Sequence, residues 1–501
     1  MSDSNPISPL PPREGTKGRG ISHHPSSFRD PSSFLFTENG TLYRSVSHLY
    51  QKNYDHLIQP GLYNKLVEAD LLIPHKEVAG IGGHDGIVSP YSPAHVRRGN
   101  LSPYKTFNPE VVPFISYPYE WCFSQIQDAA LTTLKIQKHA LACNMSLKDA
   151  SAYNIQFFRG KPLLIDTLSF EIYKENQPWV AYRQFCQHFL APLSLMASRD
   201  IRLSQLMRIY IDGLPLDLVS KLLPVSTWLK PTRLTHIHLH AKAQKRYEKS
   251  STPVIPAQAG IQKRSLRALI DNLESAITSL QWLPANTEWS NYYEDTNYTP
   301  AVMTHKKQLV EAYITESDPR TVWDLGANNG MFSRLATAKG IETIAFDVDP
   351  AAVEKNYRQM RNNKETNLLP LCQDLTNPSL SIGWANEERL SLIERGPADT
   401  LLALALIHHL AISNNVPLSH IASFLSKICR FLIIEFVPKN DPQVQRLLNT
   451  REDTFHKYAQ DCFEASLGDH FTILKSEKIM DTQRTLYLLV SSSVMEGHSA
   501  N

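Results

Sequence analysis

The sequence predicts an α/β protein in which an N-terminal α+β domain precedes a C-terminal, doubly wound, mostly parallel sheet. Three observations carry that expectation. The stretch TVWDLGANNGMFSRLATAKGIETIAFDVDP, Thr321 to Pro350, reads as strand, glycine turn, amphipathic helix, second strand and acid. Apolar runs of strand length then recur at Leu368–Cys372, Asp399–Ala405 and Phe431–Phe436, with helical pattern between them. The run Asp399–Ala405 is apolar after its first two residues, which suits a strand covered on both faces.

The elements of that stretch each have a physical reason. Thr321 to Leu325 forms the first strand, and Gly326 and Gly330 let the chain turn sharply and approach a ligand closely. Asn328 stands where a third glycine could be, and Asn is among the few other residues that tolerate the left-handed region. The helix is expected over Met331–Lys339 and the second strand over Glu342–Phe346. Asp347 at its carboxyl end is placed to accept hydrogen bonds from ribose hydroxyls. A dinucleotide turn reads G-x-G-x-x-G; this one reads Asp324-Leu-Gly326-Ala-Asn328-Asn329-Gly330.

An acid two residues before the first glycine, with a shorter and wider turn, resembles motif I of class I S-adenosylmethionine-dependent methyltransferases. The resemblance implies a Rossmann-like seven-stranded sheet in which Asp324 lies near the methionine amino end of the cofactor. It also implies that Asp374, just past the third strand, accepts the adenine exocyclic amine, although a turn cap before Asn377-Pro378 is an alternative. Phe471–Lys478 and Arg484–Val490 would be the antiparallel hairpin that closes such a sheet. The fourth strand runs into Leu406-Ile-His408-His409-Leu410, which resembles a variant of the family's fourth motif and not the D/N-P-P-Y/F sequence of nucleic-acid amino-methylating enzymes. One of His408 and His409 as general base suits the chemistry, since imidazole gains and loses protons near neutrality; a structural role for both is the alternative. Glu435 and Lys439 end the fifth strand at the same rim, where they would touch substrate; an exposed loop with a charge pair is the alternative.

At 501 residues the chain exceeds one ordinary core. Boundaries fall at 1–27, a Pro/Gly/Ser-rich segment expected to be disordered; 28–230, the N-terminal domain; 231–263, a basic linker; 264–300, a connecting helix and aromatic segment; 301–492, the cofactor domain; and 493–501, a tail. A net charge of +2 argues against a dominant nucleic-acid or membrane field. Six cysteines without a C-x-x-C pair suit reduced thiols in a cytoplasmic protein, and no uncharged apolar run is long enough to span a membrane.

In the N-terminal half, Ser32–Val46 reads as two strands joined at Glu38-Asn39-Gly40. The glycine-rich patch Gly80 to Gly86 has no following helix and reads as a loop. A strand is expected to end near Ser116, followed by a helix over Ser124–Cys143 and two short strands flanking Arg159-Gly160. Asp149-x-x-x-x-Asn154, with Asp166 twelve residues on, resembles the catalytic loop and metal-binding acid of kinase-like phosphotransferases. That likeness implies that Asp149 orients an accepting hydroxyl and that Asn154 and Asp166 hold magnesium. Three features depart from it: Ser146-Leu-Lys148 replaces the usual His-containing lead-in, Asp166-Thr-Leu lacks the glycine of D-F-G, and no glycine loop with a strand lysine precedes. The half therefore reads as a degenerate kinase-like fold.

Further on, aromatic residues over Gln177–Leu223 read as core, and His236, His238 and His240 alternate as on a strand. SSTPVIPAQAGIQ is compositionally foreign, like a translated genomic repeat in a tolerant loop. Tyr292, Tyr293 and Lys306 are candidates for covering a bound cofactor, and a helix is expected over Thr304–Tyr313.

Taken whole, 28–490 resembles bacterial S-adenosylmethionine-dependent methyltransferases related to nodulation-associated proteins, through ISYPYEW, DASAYNIQF, DLGANNG, ALIHHLAISNN and IIEFVPK. It implies methyl transfer to an oxygen or nitrogen of a small metabolite or glycan-like acceptor. The cofactor would be held by Asp324, Gly326, Asn328, Gly330, Asp347 and Asp374, with His408, His409 and Glu435 at the catalytic rim. A kinase-like phosphotransferase with an auxiliary methyltransferase domain, and a non-catalytic cofactor-binding protein, are the alternatives. The oligomeric state is not legible.

Overall fold

The computed structural model describes residues 22–79, 81, 103–243, 262–284, 299–449 and 452–492. The glycine-rich patch other than Ile81, Tyr292, Tyr293 and most of the foreign repeat lie outside the described residues. The chain divides into two compact units, one comprising residues 1–119, 125–282 and 382–389, the other 120–124, 283–381 and 390–501.

The first unit opens with a five-stranded antiparallel sheet of order β1-β2-β3-β5-β4. Its strands are β1 (Ser22–His23), β2 (Ser33–Glu38), β3 (Thr41–Val46), β4 (His75–Val78) and β5 (Lys105–Pro109). The β2–β3 hairpin turns at Asn39 and Gly40, both at positive φ, as an Asn-Gly turn requires. Helices α1 (Gln51–Ile58) and α2 (Leu62–Glu68) lie between β3 and β4 in the chain, and Tyr50, Tyr54 and Phe107 are buried where they meet the sheet. The long helix α3 (Phe123–Ala142) precedes β6 (Met145–Leu147), the hairpin β7 (Ile155–Phe158)–β8 (Lys161–Leu164) and β9 (Phe170–Ile172). Helix α4 (Lys263–Thr278) buries Leu266, Ile270, Leu273 and Ile277, one stripe at helical spacing.

Two expectations for this unit are corrected. No strand reaches Ser116: its N–H donates to Gln156 Oε1 (2.9 Å) and its carbonyl accepts from Gln156 Nε2 (2.9 Å), so a side-chain amide takes the place of a neighbouring strand. His236 and His238 lie in a π-helical turn, Leu234–Leu239, with His240 at its end, and not on a strand. Each ring has its own environment. His236 bonds Tyr182 Oη and Asn272 Oδ1 at 2.6 and 2.7 Å, and His238 bonds Ser220 Oγ and Thr227 Oγ1 at 2.8 and 2.9 Å. His240 stacks on Tyr182 with ring centroids 5.2 Å apart.

The second unit carries a seven-stranded sheet of order β12-β11-β10-β13-β14-β16-β15. Strands β10 (Thr321–Leu325), β11 (Glu342–Asp347), β12 (Leu368–Cys372), β13 (Ala398–Ala403) and β14 (Cys429–Phe436) are parallel, while β16 (Thr485–Ser491) runs antiparallel between β14 and β15 (Phe471–Lys478). This is the α/β sheet expected of the class I methyltransferase fold, with its terminal hairpin in place. Helix α5 (Pro300–Ser317) starts at a Thr299 cap with Pro300 at its first position, so it begins earlier than the expected Thr304. Its Val302, Leu309, Val310, Tyr313 and Ile314 pack with Val322, Leu402, Ile433 and Leu488 in one core. Each fully buried aliphatic side chain there contributes on the order of 1.5–3 kcal/mol. Helices α6 (Ser333–Thr337) and α7 (Pro350–Asn363) follow β10 and β11. Among the described residues no helix is long and apolar enough to cross a membrane.

Candidate active site

The parallel strands reverse their order of addition between β10 and β13, and the carboxyl ends beside such a switch point are open for a ligand. A cavity of about 350 Å³ lies there, a size suited to a small-molecule ligand. Three acids on successive strands line it: Asp324 in β10, Asp347 at the end of β11, and Asp374 just beyond β12. Phe332, Val348, Leu375, Leu404, Leu406 and Leu410 supply apolar wall, while Lys306, His409, Ser413 and Asn414 supply polar groups.

The turn after β10 is built by positive φ at Gly326 (72°), Asn328 (52°) and Gly330 (77°). The N–H groups of Gly326 and Ala327 both donate to Phe346 O at 2.9 Å, tying the turn to β11. Asp347 completes the tie: Oδ2 accepts from Asn328 N and Oδ1 from Asp349 N, each at 2.8 Å. Gly326 and Asn328 line the cavity. Gly330 does not; a Cβ there would stand 2.6 Å from Asn356 Nδ2 and 2.7 Å from Arg334 Nη1, so it serves close packing behind the turn. Asp324 accepts from Ser333 Oγ at 2.6 Å. Burial pushes the carboxyls of Asp324 and Asp347 up to about 6, with Asp347 adding to the shift at Asp324. Asp374 is exposed, and its Oδ1 accepts from Thr376 N and Oγ1 at 2.8 and 2.7 Å, so it both caps a turn and faces the cavity. Ala405, also on the cavity wall, holds a left-handed φ of 50°, unusual for a residue with a Cβ.

The expected catalytic residues separate. His409 lines the cavity; His408 and Glu435 do not. The two rings sit with centroids 4.1 Å apart, and His408 is fully buried with neither ring nitrogen hydrogen-bonded among the described residues. Burial, then the charge of Arg484, lowers His409 to about 4, and burial takes His408 well below the ordinary range. His409 is therefore neutral at pH 7.

Glu435 is wholly buried and carries two cations. Its Oε2 accepts from Lys306 Nζ at 2.6 Å and its Oε1 from Arg484 Nη1 at 3.2 Å. Arg484 in turn grips Asp441 bidentately, Nε to Oδ2 at 2.7 Å and Nη2 to Oδ1 at 3.0 Å. Lys306 Nζ stands 4.8 Å from the Phe332 ring centroid, a cation–π distance. Lys439 turns to Asp453 at 2.9 Å and does not line the cavity. Sequence reasoning missed Arg484, Asp441 and Ser333. Only Ser333, nine residues after Asp324, leaves a local signal: a small hydroxyl just past the glycine turn.

In the N-terminal unit, Asp149, Asn154 and Asp166 come together around one loop. Asp149 Oδ1 accepts from Ser151 N (2.9 Å), and Asn154 Nδ2 donates to Ser169 Oγ (3.3 Å). Asp166 accepts from Leu168 N and Ser169 Oγ, both at 2.9 Å, and pairs with Arg44 Nη1 of β3 at 2.5 Å. Burial works to raise Asp166, but Arg44 and these hydrogen bonds override it and hold the carboxyl below its usual range. Burial, with the charge of Asp166, raises Asp149. Arg44 thus supplies positive charge to the acid that the sequence reading assigned to magnesium. Arg44→Met is expected to lower unfolding free energy in urea by about 2–3 kcal/mol. That is less than the ~3–5 of a fully buried pair, because Asp166 keeps some exposure. A loss under 0.5 kcal/mol would show that the pair contributes nothing.

No family model matches the chain. Among solved structures it is similar to magnesium protoporphyrin IX methyltransferase (ChlM) from Synechocystis PCC 6803, at 20% identity over 40% of this chain and 91% of that one, with TM-score 0.29. It is also similar to the N-methyltransferase NodS from Bradyrhizobium japonicum WM9, at 11% identity over 38% and 97%, with TM-score 0.29. The bifunctional kinase-methyltransferase WbdD is 15% identical over 38% and 39%, with TM-score 0.26. In sequence, the chain is 37% identical over 378 residues to the nodulation protein NoeA of Rhizobium meliloti (strain 1021), covering 74% of this chain and 79% of that protein. At that identity and coverage, the chain belongs to the family of the nodulation protein NoeA.

Proposed function

We propose that the chain is an S-adenosylmethionine-dependent methyltransferase acting on an oxygen or nitrogen of a small metabolite or glycan-like acceptor. The observation that carries this reading is the convergence of Asp324, Asp347 and Asp374, from three consecutive parallel strands, on one cavity at the switch point. The residues fit that cofactor. Asp347 offers acceptor oxygens to ribose hydroxyls, Asp374 accepts from the adenine amine, and the leucines and Val348 supply apolar wall for the base. Asp324, raised by burial, matches a cationic amine that favours its ionised form.

When bound, S-adenosylmethionine supplies an already activated methyl group, so alignment of the acceptor provides most of the catalysis. His409, Ser413 and Asn414 line the rim on the β13 side and would orient the acceptor there. His409, neutral at pH 7, would accept a hydrogen bond from an acceptor O–H or N–H and relay its proton to solvent as the methyl–sulfur bond breaks and the methyl–acceptor bond forms. The test is formation of S-adenosylhomocysteine from S-adenosylmethionine in the presence of fractionated small metabolites and oligosaccharides. Turnover lost in Asp347→Ala supports the reading; cofactor binding without turnover on any fraction would support a non-catalytic binding protein instead.

The two buried acids set a pH dependence. Their folded-state values, about 6, lie above the ordinary 3.8, so the empty protein binds more protons folded than unfolded between those limits. Their protonation therefore favours the folded state below pH ~4, and that contribution is lost as pH rises through about 6. A ligand that hydrogen-bonds the ionised forms behaves oppositely. Affinity for S-adenosylhomocysteine is expected to be flat above pH ~7 and to fall at least tenfold per unit below pH ~5.5, with proton release on binding. Calorimetry in buffers of different ionisation enthalpy checks both; affinity unchanged between pH 5 and 7.5 would contradict it.

A further inference from the structure

One edge of the N-terminal unit brings exposed aliphatic side chains together with unpaired cations. The short helical turn Val225–Leu229, set between Pro224 and Pro231, buries Thr227 and leaves Val225 and Leu229 83% and 84% exposed. The turn is well anchored. Thr227 Oγ1 meets His238 Nε2 at 2.9 Å, and the Trp228 ring stacks on His238 with centroids 4.2 Å apart. Lys242 Nζ stands 4.4 Å from the Trp228 ring centroid, a cation–π distance. Two aliphatic side chains thus project into solvent from a turn whose other residues are held by packing.

The surrounding sequence is basic without compensation. It carries Lys221, Lys230, Arg233 and Lys242, and no Asp or Glu occurs from Leu218 to Tyr247. None of these four cations makes an ion pair among the described residues. Burial alone lowers Arg233, as expected of a guanidinium with no acid beside it. Cations by themselves would suit any soluble polyanion, and exposed aliphatics by themselves another apolar face. Side by side they match a lipid–water interface, which offers anionic headgroups above an acyl boundary.

We propose that the Val225–Leu229 turn is a docking surface for an anionic phospholipid bilayer. Val225 and Leu229 enter the acyl boundary, while Lys221, Lys230, Arg233 and Lys242 meet the headgroup phosphates. The chain's net charge is +2, so the attraction is local and acts within a Debye length, about 8 Å at physiological salt. Attachment of this kind is peripheral and reversible, because two aliphatic side chains and a few cations fall far short of a spanning helix. It does not rest on the cofactor reading.

The test sediments the full-length protein with vesicles of phosphatidylcholine alone and of phosphatidylcholine mixed with phosphatidylglycerol, at low and at high salt. Binding is expected on the mixed vesicles at low salt. It should fall at least about tenfold on phosphatidylcholine alone or at high salt, since each Lys or Arg at an anionic surface contributes a factor of about five. Val225→Ser combined with Leu229→Ser changes only exposed side chains, so circular dichroism should match wild type, and binding to the mixed vesicles should weaken at least about tenfold. Lys221→Ser combined with Lys230→Ser should weaken it about 20-fold at low salt. Absence of binding to the mixed vesicles overturns the proposal. So does binding that the Val225/Leu229 double variant leaves within about threefold, which would assign the cations to a soluble polyanion. A concentration-dependent dimer in sedimentation velocity, lost in the same double variant, would also overturn it and assign the face to a second copy of the chain.

Discussion

Replacing Glu435 with alanine is expected to destabilise the C-terminal unit by about 3–5 kcal/mol, among the largest effects of any single side-chain change in it. The carboxylate bridges the buried ammonium of Lys306 and the buried guanidinium of Arg484, at 2.6 and 3.2 Å. Removing it takes the carboxylate from the buried Lys306 ammonium and leaves that ammonium near the Arg484 guanidinium, which keeps Asp441; breaking a buried ion pair in this way is strongly destabilising. Glu435→Gln keeps the shape and an acceptor oxygen and should cost less. Urea unfolding followed by tryptophan fluorescence reads both variants. A loss below 1 kcal/mol for Glu435→Ala, with activity abolished, would restore Glu435 to the catalytic role its place at the end of the fifth strand suggests.

Asp347→Ala should weaken S-adenosylhomocysteine binding by about 100-fold or more, about 2.7 kcal/mol, through two losses at once. The ligand loses an anionic acceptor, and the N–H groups of Asn328 and Asp349, both 2.8 Å from this carboxylate, lose the group that holds the glycine turn open. Asp347→Asn separates these contributions: it retains one acceptor oxygen and should keep more of the turn than of the affinity. Isothermal calorimetry with circular dichroism as the check on folding measures each. Affinity within threefold of wild type in Asp347→Ala would remove Asp347 from the site.

The sheet was legible because its inner strands are buried on both faces and bounded by turn residues. β12 falls on the residues its apolar run marks, β15 spans the expected Phe471–Lys478 although all but its first residue are exposed, and the Gly326–Gly330 turn announces its own positive-φ positions. The three acids were legible for the same reason: each sits at a strand end, where sequence position and spatial position coincide. What escaped depends on contacts between distant segments. Nothing near Arg484 signals that it clamps Glu435 and Asp441, and nothing in TLYRSV marks Arg44 as the partner of Asp166. The alternating histidines looked like a strand because a period of two cannot reveal a π-turn in which hydroxyl and amide partners come from four other segments. The downward shift at His409 was not legible because burial, which sets it, is a property of the packed fold.

The most direct measurement is calorimetric titration of S-adenosylmethionine into the wild-type protein at pH 7.5, beside ATP with magnesium. The account predicts saturable one-to-one binding of S-adenosylmethionine with a dissociation constant on the order of micromolar, and weaker or no binding of the nucleotide. Absence of saturable S-adenosylmethionine binding to protein shown to be folded, or tighter binding of ATP with magnesium, would contradict it.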